Sequence, residues 1–208
     1  MNEMIPEVAN ALMAEFNVNA LPTSDEVSLW SLEKKRKIYL DEDVSETMVE
    51  IQRLIMRWNM EDAGKSVEER KPIWLYVMSY GGDIDYMWMI IDAIETSVTP
   101  IYTVNLGVAA SAASLIFLAG KKRFMTPRAR MIIHEGSAQL AGDAVKVMDQ
   151  TESYRKQLKQ MKDYVLERTN IPKQQLMKKR NNDWELDAAY CIANGACDRV
   201  IESMDEVI

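Results

Sequence analysis

The chain has 208 residues, 48% of them hydrophobic and 27% charged, with a net charge of -7. That length and apolar content suffice for a domain with a real core and exclude a disordered or disulfide-dependent chain. The acidic balance excludes a general affinity for nucleic acid. One histidine and two cysteines, Cys191 and Cys197, cannot build a Cys/His metal cluster, so no metal is expected; buried free thiols in a reducing cytoplasm fit the pair better than a disulfide. Glu3 and Glu7, with no basic stretch before an apolar run, argue against a signal peptide. The richest apolar run, 104–120, is interrupted by Asn105, Gly107, Ser111 and Ser114, so it does not reach the roughly 18 residues of a membrane span.

Residues 1–35 read as a peripheral extension, with a short helix expected over Met4–Phe16 and a break at Leu21-Pro22-Thr23-Ser24. A charged cluster, Glu33–Lys37, leads into a strand at Ile38-Tyr39-Leu40. Asp43 and Glu46 have capping-box spacing, and Val44, Met48, Ile51, Ile55 and Trp58 predict an amphipathic helix. After a polar loop over 64–71, Ile73–Met78 is an apolar run suited to a covered strand. The turn Ser79-Tyr80-Gly81-Gly82 opens a helix marked by Ile84, Met87, Trp88, Ile91 and Ile94. A strand over 101–106 and a small-residue helix over 108–119 follow, then short strands at 123–125 and 131–134. From Asp143 a helical pattern runs to Thr169, roughly 40 Å at 1.5 Å per residue, long enough to project from the body. Short helices are expected near Pro172 and Asp187, the latter stopped by Gly195. Strand and helix alternate, so the chain is predicted to be α/β, with function at the strand-to-helix turns.

Three segments there carry chemistry. His134 ends an apolar strand and precedes Glu135-Gly136, where a side chain faces a cleft. Gly107-Val108-Ala109-Ala110-Ser111-Ala112-Ala113-Ser114 reads either as a tightly packed helix start or as a nucleophile in a first turn, whose free N–H groups favour an oxyanion. Ser79-Tyr80-Gly81-Gly82-Asp83 reads either as a turn needing positive φ or as an N–H aimed at a carbonyl oxygen. Each segment is weak evidence alone.

In this order and spacing they closely resemble the Clp protease proteolytic subunit, a self-compartmentalising serine peptidase family with a Ser-Pro-Gly-Gly turn, a Gly-x-Ala-Ala-Ser segment and a Met-Ile-His strand. Arg36–Leu40, Gly142-Asp143 and Asn182-Asp183 extend the resemblance over about residues 35–203. It implies a spiral of ββα units shared with crotonases, over 36–208, and a projecting handle helix over about 137–170. Residues 1–35 would then be an N-terminal axial segment. It also implies a serine endopeptidase with Ser111 as nucleophile, His134 as general base and Asp183 orienting the imidazole. By residue type alone, Asp85, Asp92, Asp187 and Asp198 rival Asp183. Ser114 is a second candidate nucleophile, and Ser79 reads as satisfying turn backbone.

The resemblance assigns the oxyanion hole to the N–H groups of Gly82 and Ala112. Segments after Gly82 and around 136–140 would pair with substrate as strands. Trp74 and Tyr76 would lie in an apolar patch docking an AAA+ Clp ATPase of the ClpX, ClpA or ClpC kind. No cofactor is implied in this subunit; ATP is used by the partner. Seven-membered rings, stacked to a 14-mer in the cytoplasm, would enclose unfolded polypeptide substrates. No nucleic acid or membrane partner is implied.

The chain departs from the pattern at Tyr80 (for proline), Val108 (glutamine), Ala112 (methionine), Glu135-Gly136 (Gln-Pro) and Asn182 (arginine at a ring-to-ring contact). A divergent, phage-type member with a processing role fits the same pattern. Two other readings compete: a crotonase-type acyl-CoA enzyme, which would not need the three triad candidates together, and a catalytically silent ring subunit, which would have lost one.

Overall fold

The computed structural model describes residues 23–136, 138–179 and 182–208, so the helix expected over Met4–Phe16 lies outside the described residues. The chain divides between Lys35 and Arg36 into two units. In the first, helix α1 spans Ser24–Lys34 where the sequence suggested a break and a charged lead-in. Its apolar residues do not fall on one stripe, and Val27, Leu29 and Trp30 are about half exposed. It therefore carries no periodic signal to read.

The second unit is built on a sheet in which parallel pairing runs β1 (Lys37–Leu40), β2 (Ile73–Ser79), β3 (Ile101–Ala110), β4 (Lys122–Met125) and β7 (Arg199–Val200). Strand β5 (Arg130–Ile133) also pairs with β3, and β6 (Trp184–Asp187) lies antiparallel on β5. Helix α2 (Met48–Glu61) buries Met48, Ile51, Ile55 and Trp58. Helix α3 (Ile84–Glu95) is capped by the Asp83 side chain and buries Met87, Ile90, Ile91 and Ile94. Helix α4 (Ala112–Ala119) is buried at every residue. Helix α5 (Ala144–Arg168), capped by Asp143, is followed by α6 (Lys173–Lys179) and α7 (Ala188–Ala193). The fold is thus α/β, as predicted, with α4 at its centre.

Three local differences from the sequence reading have physical causes. The Asp43/Glu46 capping box does not form. Helix α2 starts only at Met48, because Val44 is held in a parallel bridge to Gly82 by Val44 N–H to Gly81 O (2.9 Å) and Asp83 N–H to Val44 O (2.7 Å). The polar loop contains a 3-10 turn, Val67–Glu69, whose capping box is Ser66/Glu69. Strand β3 continues through Ala110, because Val108–Ala110 pair with Arg130–Ile132.

Strand β3 serves two neighbours in turn, β4 along Tyr102–Asn105 and β5 along Val108–Ala110. The fully buried Asn105 sits where they diverge. Its Nδ2 donates to Arg130 O (2.9 Å), and its Oδ1 accepts from Gly107 N–H (3.1 Å). The residue that broke the apolar run thereby replaces ladder bonds that the fork removes.

At the N-terminal ends of β1, β2 and β3 a buried charge cluster ties four segments together. Arg36 donates to both oxygens of fully buried Asp62 (2.5 and 2.9 Å) and to Lys71 O (2.9 Å). Lys65 Nζ and Thr99 Oγ1 also donate to Asp62 (2.7 and 2.8 Å). The Arg36 guanidinium, above all, holds the Asp62 carboxyl well below the usual carboxylate range. A depressed folded-state pKa gives stability that is present above the unfolded value, about 4, and is lost as pH falls below it. We expect Asp62→Asn to cost about 3 kcal/mol in urea unfolding at neutral pH, since it leaves buried Arg36 with only the half-exposed Glu61 carboxylate (3.2 Å) as counter-charge. The gap from wild type should narrow below about pH 4, where the wild type loses the same interaction. A gap that is absent, or constant on acidification, contradicts this account.

Candidate active site

Ser111 is the single residue between β3 and α4. Its φ of 51° and ψ of -126° make it, with Arg36, one of two non-glycine residues at positive φ among the described residues. Such a conformation costs about 1–3 kcal/mol and persists only where its surroundings impose it. Here Ser111 N–H donates to Ile132 O on β5 (2.9 Å), and its carbonyl accepts from Ser114 N–H (3.0 Å) and Ser114 Oγ (2.6 Å). Ser111 is thus not in the first turn, as the sequence suggested; it precedes the helix. Ser114 is fully buried and acts as a prop for the Ser111 carbonyl.

The turn Gly81-Gly82 packs directly on this junction. A Cβ at Gly81 would lie 2.7 Å from both Ala110 O and Ser111 Cβ and 2.9 Å from Ala112 N, and one at Gly82 would lie 2.3 Å from Val44 O. Both glycines have positive φ, 100° and 153°. Ser79 Oγ donates to Glu42 O (2.6 Å) and accepts from Gly81 N–H (3.1 Å), the turn-satisfying role expected of it. Neither bond of the Val44 bridge uses the Gly82 N–H, and the Ala112 N–H lies in the first turn of α4, where no intrahelical acceptor exists.

His134 follows β5, which lies beside β3 in the register Ala110↔Ile132, so Ser111 and His134 emerge from neighbouring parallel strand ends. On the other side β6 pairs Trp184 with Ile133, and one step further along that register Asp183 comes opposite His134. The Asp183 Oδ1 to His134 Nδ1 distance is 3.9 Å, with the two side chains 78% and 31% exposed. Nδ1 instead accepts from the Gly136 N–H (3.0 Å). Of the rival aspartates, Asp187 caps α7, Asp198 pairs with Arg123 (2.8 Å), and Asp85 and Asp92 lie on α3.

Sequence reasoning missed what holds the histidine segment. The Glu135 carboxylate is turned to Lys162 on α5 (2.9 Å), and its carbonyl accepts from Tyr154 Oη (3.2 Å). Burial, then the Glu135 charge, push the Tyr154 phenol pKa up, so it stays a donor. Leu158, Met161 and Val165 of α5, with Leu176 and Trp184, line an apolar pocket against His134. The helical stripe containing those residues was legible, but reads as packing alone.

On the opposite face of the sheet, Trp74 and Tyr76 do share one apolar cluster, together with Val104, Leu106, Phe124, Ile201 and Val207. Tyr76 is only 2% exposed, and its hydroxyl donates to Val207 O. It is therefore not an open docking residue, because the C-terminal segment covers it. Trp74 is partly exposed and packs edge-on to Tyr102, with centroids 5.1 Å apart. Among the described residues no His/Cys/Asp/Glu group is arranged to hold a metal, and no helix is long and apolar enough to cross a membrane.

The Clp protease family model matches residues 24–204. The chain is 31% identical over 140 residues to the ATP-dependent Clp protease proteolytic subunit 2 of Treponema pallidum, covering 66% of this chain and 70% of that one. It is 31% identical over 141 residues to the subunit 2 of Borreliella burgdorferi (67% and 71%), and 27% identical over 176 residues to that of Bifidobacterium longum (84% and 83%). A family match across most of the chain, on an α/β fold that sets a strained serine beside a double-glycine turn and a strand-end histidine, identifies this chain as a divergent member of the Clp protease family.

Proposed function

We propose that the chain is a serine endopeptidase acting on unfolded polypeptides. The observation that carries this is the placement of Ser111: a strained residue at a strand end, against Gly81-Gly82, one strand away from the chain's only histidine. Ser111 Oγ attacks the scissile carbonyl. His134 takes its proton and returns it to the leaving amine, and Asp183 orients the imidazole and stabilises its charged form. The Gly82 and Ala112 N–H groups receive the developing oxyanion, each such donor being worth about 10²–10³ in rate. The apolar pocket against His134 suits an apolar substrate side chain beside the cleaved bond.

The assembly belongs to the same proposal. Helix α5 buries Met161, Tyr164 and Val165 in its second half, while Val145 and Met148 in its first half are 70% and 71% exposed. An apolar surface of that kind supports ring-to-ring contact, with seven-membered rings stacked into a 14-mer around a cytoplasmic chamber. Trp74, with its partly exposed neighbours Tyr102, Leu106 and Phe124, supports docking of an AAA+ Clp ATPase on the outer face. Confinement explains how an endopeptidase of this type spares folded proteins: they do not reach Ser111.

A fluorophosphonate probe is expected to label the wild-type chain and to leave Ser111→Ala unlabelled; equal labelling of both sinks the assignment. Gly81→Ala should slow labelling at least about 100-fold while far-UV circular dichroism is retained, because its Cβ pushes the turn carrying the Gly82 donor away from the Ala112 donor. Labelling of Gly81→Ala at the wild-type rate contradicts that role. Native mass spectrometry should find a ring-sized assembly, and a stable monomer at micromolar concentration argues against the chamber.

A further inference from the structure

We propose that the Gly136 amide is a positioning group for His134: it holds the resting imidazole in the tautomer protonated at Nε2 and has to release Nδ1 before Asp183 can orient the ring. The inference rests on His134 being the general base, as proposed above.

A backbone N–H only donates. With Gly136 N–H 3.0 Å from Nδ1, that nitrogen presents its lone pair, and the proton of the neutral ring sits on Nε2. A protonated Nε2 cannot accept the Ser111 proton. Asp183 likewise finds no proton on Nδ1 to accept, which fits its 3.9 Å separation and 78% exposure. A donor and an acceptor thus compete for one ring nitrogen, and the donor occupies it.

The segment is held in that arrangement from outside. Gly136 has φ 74°, a left-handed conformation that turns the chain away immediately after the peptide plane carrying its amide. A Cβ there would meet only Tyr154 Oη at 3.6 Å, so glycine answers a need for conformation and not for space. On the preceding residue, Tyr154 and Lys162 of α5 fasten the Glu135 carbonyl and carboxylate. Release makes and breaks no covalent bond apart from proton exchange. The imidazole proton passes from Nε2 to Nδ1 through solvent, and the Gly136 N–H turns to water.

Because the chain has one histidine, [15N]histidine labelling of the full assembly reads this site without overlap. In magic-angle-spinning NMR at about pH 8, above the ordinary imidazole range, we expect the resting chain to show Nε2 protonated and Nδ1 bare. Once a peptide boronate occupies the site, Nδ1 should become protonated as well, with Nε2 holding the proton released from Ser111 Oγ. Two variants weaken the cap by different routes: Gly136→Pro removes the N–H, and Lys162→Met loosens the fastening of Glu135 while keeping glycine. Gly136→Pro should shift the resting tautomer ratio toward Nδ1–H by about fivefold, the weight of one neutral hydrogen bond, and Lys162→Met should shift it the same way by less. Should Gly136→Pro fail to fold, Lys162→Met carries the test. A resting wild type already protonated at Nδ1, or a ratio unmoved by the variants, overturns the proposal. If fluorophosphonate still reacts at Ser111 in that case, the peptidase reading stands without the cap. If Ser111 never reacts, the peptidase reading fails, whichever tautomer is found.

Discussion

Everything at this site depends on one backbone constraint, the positive φ of Ser111. A β-strand that ran straight into a helix would place this side chain in the core, where α4 is buried at every residue. The reversal at Ser111 turns it out at the strand end. The fold supplies what such strain requires: a ladder bond from β5, a serine prop one turn along, and a glycine whose missing Cβ makes room. Gly81 and Ser111 are therefore one unit. The turn packs that closely only because it lacks a side chain, and the serine junction has one neighbour that tolerates its shape.

The two ends of the parallel strands do different work. At their N-terminal ends Arg36, Asp62, Lys65 and Thr99 form a buried, closely bonded cluster joining four segments. At their C-terminal ends the polar groups are only partly buried, and Asp183 and Gly136 face the same imidazole nitrogen. Stability is concentrated away from the chemistry, and adjustability is kept beside it. The Asn105 fork links these ends, because it lets β3 support β4 with its first half and deliver β5 to Ser111 with its second.

Much of this was legible in the residues. Apolar spacing located α2, α3 and α5 to within a few positions, and the double glycine, Ser111 and His134 stood out as a set. Three things were not legible, for identifiable reasons. The stretch 107–110 has helix-like small residues, and its extended form depends on β5, some 20 positions away, so local propensity lost to pairing. Strand β6 alternates apolar and charged residues, but over only four positions, too few to stand out as a strand, yet its register is what brings Asp183 opposite His134. The Glu135–Lys162 pair spans 27 positions between a strand end and a helix, a separation that no spacing rule anticipates.

We propose that Ser111, the Gly81-Gly82 turn and the start of α4 form one oxyanion-stabilising centre. A structure of the assembled chain with a peptide boronate tests this most directly. We expect a tetrahedral boron bonded to Ser111 Oγ, with one boronate oxygen within about 3 Å of the Gly82 and Ala112 nitrogens. A boron bonded to another residue, or to Ser111 with that oxygen turned away from both amides, would contradict it.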